Sequence, residues 1–95
     1  VSDENIPSEF TLVSVYPNPF NPRTSISFGI SETLNIDIDI FNINGQLIEN
    51  IISETLSAGF YNYQWNARNT SSGVYFIKIH GNNRLLTVHK IVLLK

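Results

Sequence analysis

Two residue types, cysteine and methionine, are missing from this chain of 95 residues. Without cysteine the chain can form no disulfide, no thiolate metal site and no thiol nucleophile. No apolar run approaches the roughly 20 residues that a helix needs to cross a bilayer, and residues 1–9 are acidic and polar, unlike a signal peptide. Six basic residues stand against eight acidic ones, without a basic block. We therefore expect no membrane insertion, no nucleic-acid partner, and targeting information elsewhere in a longer protein.

What the sequence does contain is a repeated alternation of apolar and polar residues. Hydrophobic residues make up 42% of the chain and charged residues 15%, which is typical of one globular domain. The alternation predicts strands at residues 12–16, 24–30, 34–41, 46–54, 61–65, 73–80 and 85–94. Seven short strands without a helical period indicate a sandwich or barrel, and we favour two packed antiparallel sheets over residues 10–95. Residues 1–9 are predicted to be a flexible linker.

Turn residues and irregularities punctuate the predicted strands. Asn44-Gly45 is the strongest hairpin signal, because both residues tolerate the positive φ of a type I′ turn. A break in the alternation predicts a β-bulge near Asn50. Phe20 is expected to anchor its loop to the core. The predicted core centre comprises Trp65, Tyr63, Ile38, Ile40, Ile77 and Ile79.

The two histidines are the first candidates for chemistry. If Asn82-Asn83 forms a two-residue hairpin turn, His80 lies opposite Leu85 and His89 lies opposite Phe76. The two rings are then about 13 Å apart at about 3.4 Å per residue, which is too far to share a metal. We interpret both histidines as surface residues.

A second candidate is the carboxylate pair Asp37 and Asp39, which share one face of a predicted strand about 7 Å apart. Such a pair serves in acid–base catalysis or calcium binding, but a solvated strand face explains it equally well, and no third ligand lies near in sequence. No phosphate loop or zinc spacing is present. We therefore expect no catalytic site, no metal and no cofactor.

Aromatic residues are a third candidate, because exposed rings can form a sugar-binding platform. The candidates are Tyr61, Tyr63, Trp65, Tyr75 and Phe76. The period-2 spacing of the first three is explained more simply by one core face of a strand. We favour core packing and keep a carbohydrate-binding module as the alternative function.

The most unusual segment is Tyr-Pro-Asn-Pro-Phe-Asn-Pro at residues 16–22. Three prolines fix φ and remove backbone donors, and each restricts the residue before it. The product is a stiff connection that does not continue a strand. Its composition fits a rigid crossover between two sheets, and it also fits a preorganised recognition element.

Several motifs in fixed order resemble those of a known family. The proline-rich segment is followed by Thr24 and Ile26, and later by the motifs Phe41-Asn42-x-x-Gly45-Gln46, Ser57-Ala58-Gly59, Trp65, Ser72-Gly73-Val74-Tyr75-Phe76 and Lys90-Ile91-Val92-Leu93-Leu94-Lys95. Together they resemble the type A C-terminal sorting domains of the type IX secretion system of Bacteroidetes-type bacteria. One departure is local: Asn66-Ala67 stands where the family commonly has an acidic residue and glycine.

The resemblance implies an immunoglobulin-like sandwich that is fused behind a cargo domain. Such a cargo reaches the periplasm through its own signal. Outer-membrane translocon components then recognise the domain, and a sortase-like surface protease cuts in or just before residues 1–10 and joins the cargo to a lipopolysaccharide anchor. The protein is therefore expected outside the cell or on its surface, with the domain as substrate rather than enzyme. Our recognition candidates are Tyr16, Pro17, Asn18, Pro19, Asn21, Pro22, Gly73, Tyr75, Lys90 and Lys95.

Overall fold

The computed structural model describes residues 10–95, so the linker predicted for residues 1–9 lies outside the described part of the chain. Seven strands follow one another: β1 (Phe10–Tyr16), β2 (Arg23–Ile30), β3 (Leu34–Asn42), β4 (Leu47–Leu56), β5 (Gly59–Asn66), β6 (Gly73–Gly81) and β7 (Arg84–Leu93). Every strand that alternation predicted is present. Over the described residues no helix reaches the length and apolarity required to cross a membrane.

The strands form two antiparallel sheets that pack face to face. One sheet has the order β1-β2-β5 and the other the order β4-β3-β6-β7. This is the strand division of a constant-type immunoglobulin domain, except that the fourth strand pairs with the third instead of the fifth. The predicted immunoglobulin-like antiparallel β-sandwich is confirmed.

The core lies between the sheets and consists mainly of isoleucine and aromatic side chains. Across the two central strands Ile38 pairs with Ile79 and Ile40 pairs with Ile77, and all four are fully buried. Burying each such side chain contributes about 1.5–3 kcal/mol. Trp65 is 1% exposed, as predicted. Tyr63 was wrongly placed at the core centre: it is half-buried on the edge strand β5, whereas Trp65 on the same strand is covered by Phe20 and Tyr75.

The two hairpin turns differ from the predicted turn types. At Asn44-Gly45 a turn is present, but only Gly45 has a positive φ, of 79°. The amide of Gly45 donates to the carbonyl of Asn42 at 3.0 Å, so the loop is a type I turn closed by a left-handed glycine rather than type I′. The two-residue turn at Asn82-Asn83 is confirmed, with φ of 52° and 66°.

Bulges account for the irregular alternation in the hairpin strands. β4 contains the bulge predicted near Asn50, where Ile51 is the extra residue, and a second one at Ile48. β7 contains an unpredicted bulge at Leu86, which shifts the register by one residue. His89 therefore pairs with Ile77 rather than with Phe76, and its side chain leaves the strand on the inner side of the sheet. His80 pairs with Leu85 as predicted and faces outward.

Candidate recognition surface at the C-terminal pole

One end of the sandwich gathers most of the motifs that the sequence singles out. We call it the C-terminal pole and define it as the loops 17–22, 43–46 and 67–72 together with residues 93–95. The loops are joined directly: Ala67 donates its amide to the Pro22 carbonyl at 2.8 Å, and Phe20 forms an isolated bridge with Leu93. The opposite pole carries the turn at residues 57–59 and the Asn82-Asn83 hairpin.

The proline-rich loop binds the edge of the other sheet. It connects β1 to β2, which are neighbours in one sheet, so it is not a crossover between sheets as one interpretation suggested. Instead it reaches across to β7 and returns. Phe20 donates its amide to the Val92 carbonyl at 2.9 Å and accepts the Leu94 amide at 3.0 Å. The loop thereby covers part of an otherwise open sheet edge.

Asn18 extends this pairing with its side chain. Its Nδ2 donates to the Lys90 carbonyl at 3.1 Å, and its Oδ1 accepts the Val92 amide at 3.0 Å. The neighbouring prolines have no backbone N–H to offer, so the carboxamide takes the place of a backbone peptide group on the edge of β7. Two hydrogen bonds of opposite direction fix both the position and the orientation of the loop.

Aromatic rings in the core anchor the proline-rich loop. Phe20 is 2% exposed, which confirms the predicted anchor, and its ring centroid lies 5.5 Å from that of Trp65. Trp65 in turn contacts Tyr75 edge to face at 5.6 Å. The indole Nε1–H donates to Oε1 of Glu49 at 3.0 Å, which satisfies its polar end. We call Phe20, Trp65 and Tyr75 the Trp65 cluster; its members come from a loop, β5 and β6.

Tyr75 supports the loop at residues 67–72. Its hydroxyl donates to the Ser71 carbonyl at 2.6 Å, four residues upstream at the start of the sixth strand. This is the tyrosine corner found in immunoglobulin-like sandwiches. On the opposite side of the pole, the buried Thr24 hydroxyl donates to the Pro17 carbonyl at 2.8 Å. Two motif residues therefore hold loops in place from inside the fold.

The chain end is fastened to the same loop. The Lys95 amide donates to Oγ of Ser72 at 2.9 Å, and the Lys95 ammonium donates to the Arg68 carbonyl at 2.6 Å. The backbone of Lys95 is thus held in place beside the loop that Tyr75 supports.

The structure places all ten recognition candidates in this pole or on the strands that adjoin it. The ten candidates differ in solvent exposure. Exposed candidates are Tyr16, Pro17, Asn18, Pro19, Asn21, Lys90 and Lys95, whereas Pro22 and Gly73 are half-buried and Tyr75 is buried. Sequence reasoning missed Arg68, Ser71 and Ser72, whose contacts involve backbone groups that no motif reveals.

Positive charge is concentrated at this pole. Two of the six basic residues of the chain, Arg68 and Lys95, lie in the pole, and two more border it: Arg23 at the start of β2 and Lys90 on the edge of β7. None of the four forms a salt bridge with another residue of the described range 10–95. Glu49, the acidic residue that reaches the Trp65 cluster, accepts the indole hydrogen bond. The pole is therefore a basic surface on a chain of net charge -2.

The other candidates for chemistry do not converge. His80 and His89 leave opposite faces of the four-stranded sheet. Asp37 and Asp39 lie on its outer face, opposite His80 and Lys78 respectively. Residues 10–95 contain no group of three or more His, Cys, Asp or Glu side chains that could hold a metal ion.

Known proteins resemble this chain in sequence and in structure. The sequence profile of the secretion system C-terminal sorting domain matches residues 14–94. PorZ of Porphyromonas gingivalis, described as an essential bacterial surface component of the type IX secretion system, is similar in structure, with a TM-score of 0.62 and 22% identity over 86% of this chain. The DNA glycosylase AlkC of Pseudomonas fluorescens, bound to DNA, has a TM-score of 0.58 and 16% identity over 92% of this chain.

These two structural similarities show the fold alone. The chain spans 11% of the PorZ chain and 31% of the AlkC chain. No curated protein sequence matches it. The profile match, in contrast, covers most of the chain and includes the proline-rich segment from Tyr16 onward, Trp65 and Tyr75. The chain therefore belongs to the family of secretion system C-terminal sorting domains, whose members are sorting signals for type IX secretion of secreted or cell-surface proteins.

Proposed function

We propose that the export machinery reads the C-terminal pole as one folded surface. The carrying observation is the Asn18 carboxamide, which binds Lys90 and Val92 of β7 and so joins the two most distant motifs of the chain. Tyr16, which is 74% exposed, directly precedes the proline-rich loop, and Lys95 lies three residues after Val92. A surface made from both ends of the domain exists only after folding, so its recognition reports that the domain is folded.

The partner in this proposal is an outer-membrane translocon component with an acidic docking surface. Four basic side chains without salt bridges within residues 10–95 favour such a partner, because complementary charge accelerates encounter and orients the complex. The proline-stiffened loop adds little entropy cost on binding, since its prolines and hydrogen bonds already restrict it.

The domain acts as a substrate of export, not as a catalyst. In this proposal it is fused behind a cargo domain, follows the cargo through the periplasm and crosses the outer membrane with it. A sortase-like surface protease then cuts in or just before residues 1–10, which leaves the folded sandwich intact. The cargo receives a lipopolysaccharide anchor in its place.

The test is secretion of a reporter protein that is fused before Val1 in a bacterium with a type IX system. The double variant Lys90→Gln/Lys95→Gln removes two exposed charges of the pole while both backbones keep their positions. The matched control Arg84→Gln removes one charge at the opposite pole. We expect a several-fold loss of export for the double variant, normal export for the control, and equal melting temperatures for all three.

A further variant appends a few polar residues after Lys95. Chain ends tolerate additions, so stability should hardly change. Reduced export of this form assigns recognition to residues around Lys95, whereas normal export assigns it to the surface of the sandwich or to the proline-rich loop. If the unmodified domain exports no reporter, the proposed function is wrong for this chain.

A further inference from the structure

The outer face of the three-stranded sheet carries few charged side chains. Its side chains form three cross-strand rows, which we call the neutral face. The rows are Tyr16–Ser25–Gln64, Ser14–Ser27–Asn62 and Thr11–Gly29–Phe60, with Val13 at the bulge of β1. No residue in these three rows carries a charge; the one further row of the same face, Arg23–Asn66, carries the charge of Arg23 and lies beside the C-terminal pole. The outer face of the four-stranded sheet, in contrast, carries Asp37, Asp39, Lys78 and Lys90.

Phe60 stands in the third row with its ring unusually open to solvent. It is 84% exposed, the highest value among the large hydrophobic residues of the described chain. The ring lies directly against Gly29: a methyl group built at residue 29 comes within 2.7 Å of ring carbon Cε1. One face of the ring therefore rests on the glycine backbone, and the opposite face is presented to solvent.

Depressions flank this ring on both sides. The larger, of about 300 Å³, is lined by Val13, Ser27, Phe28, Phe60, Tyr61 and Asn62. The smaller, of about 150 Å³, is lined by Thr11, Gly29, Ile30 and Ser31. Both are open, so they suit the side of an extended ligand rather than an enclosed small molecule.

Hydrogen-bonding groups lie beside the larger depression. Asn62 donates from Nδ2 to Oγ of Ser27 at 2.6 Å, which orients the amide and leaves its Oδ1 without a donor among residues 10–95. The same row offers the hydroxyl of Ser14, and the next row offers the hydroxyl of Ser25 and the amide of Gln64. About 3.4 Å separates successive residues of a strand, so these groups continue the line from Phe60 toward Tyr16.

We propose that the neutral face binds an uncharged polysaccharide chain. A sugar ring offers an apolar C–H face, which matches the open side of the Phe60 ring, and peripheral hydroxyls, which match serine and amide groups. The absence of charge from the three rows is complementary to a ligand without charge. Phe60 supplies the stacking contact, and Asn62 with Ser27 supplies directional hydrogen bonds. This inference does not depend on the export role of the domain.

Other occupants fit the neutral face less well. Nucleic acid binds through phosphate contacts to lysine and arginine, and the three rows contain neither. A protein partner requires an apolar interface core rich in aromatic side chains, whereas only Phe60, Val13 and Tyr16 are apolar or aromatic among the outward residues. A second copy of the chain remains as a measurable alternative.

The test uses the unfused 95-residue chain. Its retention is measured on insoluble cellulose and chitin, and by affinity electrophoresis in gels that contain xylan, mannan or laminarin. Phe60→Ala removes the ring, and Phe60→Tyr preserves a flat ring at the same position. Leu47→Ala, which removes an exposed hydrophobic side chain from the other sheet, is the matched control.

We expect retention on at least one polysaccharide, at least tenfold weaker for Phe60→Ala and close to the original strength for Phe60→Tyr and Leu47→Ala. Melting temperatures identify any variant whose loss reflects unfolding. No retention on any of the five polysaccharides overturns the proposal, as does equal retention of a folded Phe60→Ala. Self-association that Phe60→Ala abolishes, without polysaccharide binding, assigns the face to a second copy and also overturns it.

Discussion

The domain contains two aromatic clusters that are built in different ways. In the Trp65 cluster the three rings come from a loop and from both sheets. In the second, which we call the Phe28 cluster, Phe28 contacts Phe10, Tyr61 and Tyr63 at centroid distances of 5.8, 5.7 and 6.1 Å. All four of these residues belong to the three-stranded sheet.

Because they are built differently, the two clusters have different roles: one stabilises the fold, and the other also positions a surface loop. The Phe28 cluster joins neighbouring strands of one sheet, so its rings stabilise the sandwich without positioning a loop. The Trp65 cluster fixes Phe20, and Phe20 in turn holds the proline-rich loop on β7. We infer that a change in the first cluster weakens the fold, whereas a change in the second also moves the candidate recognition surface.

The largest expected effect is that of Trp65→Ala. Removing a buried tryptophan should cost about 3–5 kcal/mol, which is a large part of the stability of a small domain. Urea denaturation measures this loss. A variant that denatures like the original protein would show that Trp65 contributes little to the packing of the core.

Milder variants, one in each cluster, allow the roles of the two clusters to be compared. Trp65→Phe keeps a ring, and Phe28→Leu shortens the other cluster. Hydrogen exchange should accelerate at the Phe20 and Leu94 amides, which pair the loop with β7, only in Trp65→Phe. Equal acceleration in both variants contradicts the separation of the two clusters.

The next effect in size concerns Asn18. Asn18→Ala removes two hydrogen bonds to β7 and should cost about 1–2 kcal/mol, because each bond contributes about 0.5–1.5 kcal/mol. The comparison at the opposite pole is Asn82→Gly, which removes one side-chain acceptor of the Asn35 amide while tolerating the positive φ. Thermal unfolding measures both. A larger loss for Asn82→Gly would mean that solvent replaces the bonds of Asn18.

Two tyrosine hydroxyls that bind a carbonyl four residues upstream allow a smaller and more closely matched comparison. Tyr75 donates to Ser71, and Tyr61 donates to Ser57, each at 2.6 Å over four residues. Tyr75 is buried and Tyr61 is half-buried. We expect Tyr75→Phe to cost about 1 kcal/mol and Tyr61→Phe to cost less, since water reaches its partner more easily. Equal losses in urea denaturation contradict this role of burial.

Much of the fold could be predicted from the sequence because alternation records which side chains face the core. The isoleucines of β3 and Trp65 lie where alternation places them. The position of Tyr63 could not be predicted in this way, since alternation does not reveal whether a strand lies at the edge of a sheet. The bulge at Leu86 was missed for a similar reason: Leu86 packs against Gly81 across the hairpin, and no local pattern signals that contact.

The candidate site was predictable as a set of motifs but not as a surface. Three prolines predict a stiff loop. No local pattern shows, however, that the side chain of Asn18 binds β7 as a backbone peptide group would, at a residue 72 positions later in the chain. The aromatic residues considered for a sugar platform were Tyr61, Tyr63, Trp65, Tyr75 and Phe76, and none of them is the most exposed ring. That ring belongs to Phe60, which lies on the outward side of β5 over Gly29.

The smallest expected effect is a pH dependence within the Phe28 cluster. Burial raises the pKa of Tyr63 above the ordinary tyrosine value of 10.0, and the nearby charges of Glu54 and Tyr61 raise it further. The folded state therefore retains the phenol proton longer than the unfolded state does. Its contribution to stability is complete below pH 10 and declines as the pH rises through the higher pKa of the folded protein.

Denaturation midpoints between pH 8 and pH 11 test this dependence. Tyr63→Phe should flatten the decline above pH 10, because the residue that titrates is absent. Tyr16→Phe removes an exposed phenol at the other end of the sheet and serves as the matched control. Below the transition, alkaline pH should lower the hydrogen-exchange protection of β5 around Tyr63, relative to the base-catalysed intrinsic rate, before it lowers that of the Phe20 and Leu94 amides. If the denaturation midpoint of Tyr63→Phe declines with pH as steeply as that of the original protein, other groups cause the decline. If both clusters lose hydrogen-exchange protection at the same pH, the sandwich responds as a single unit.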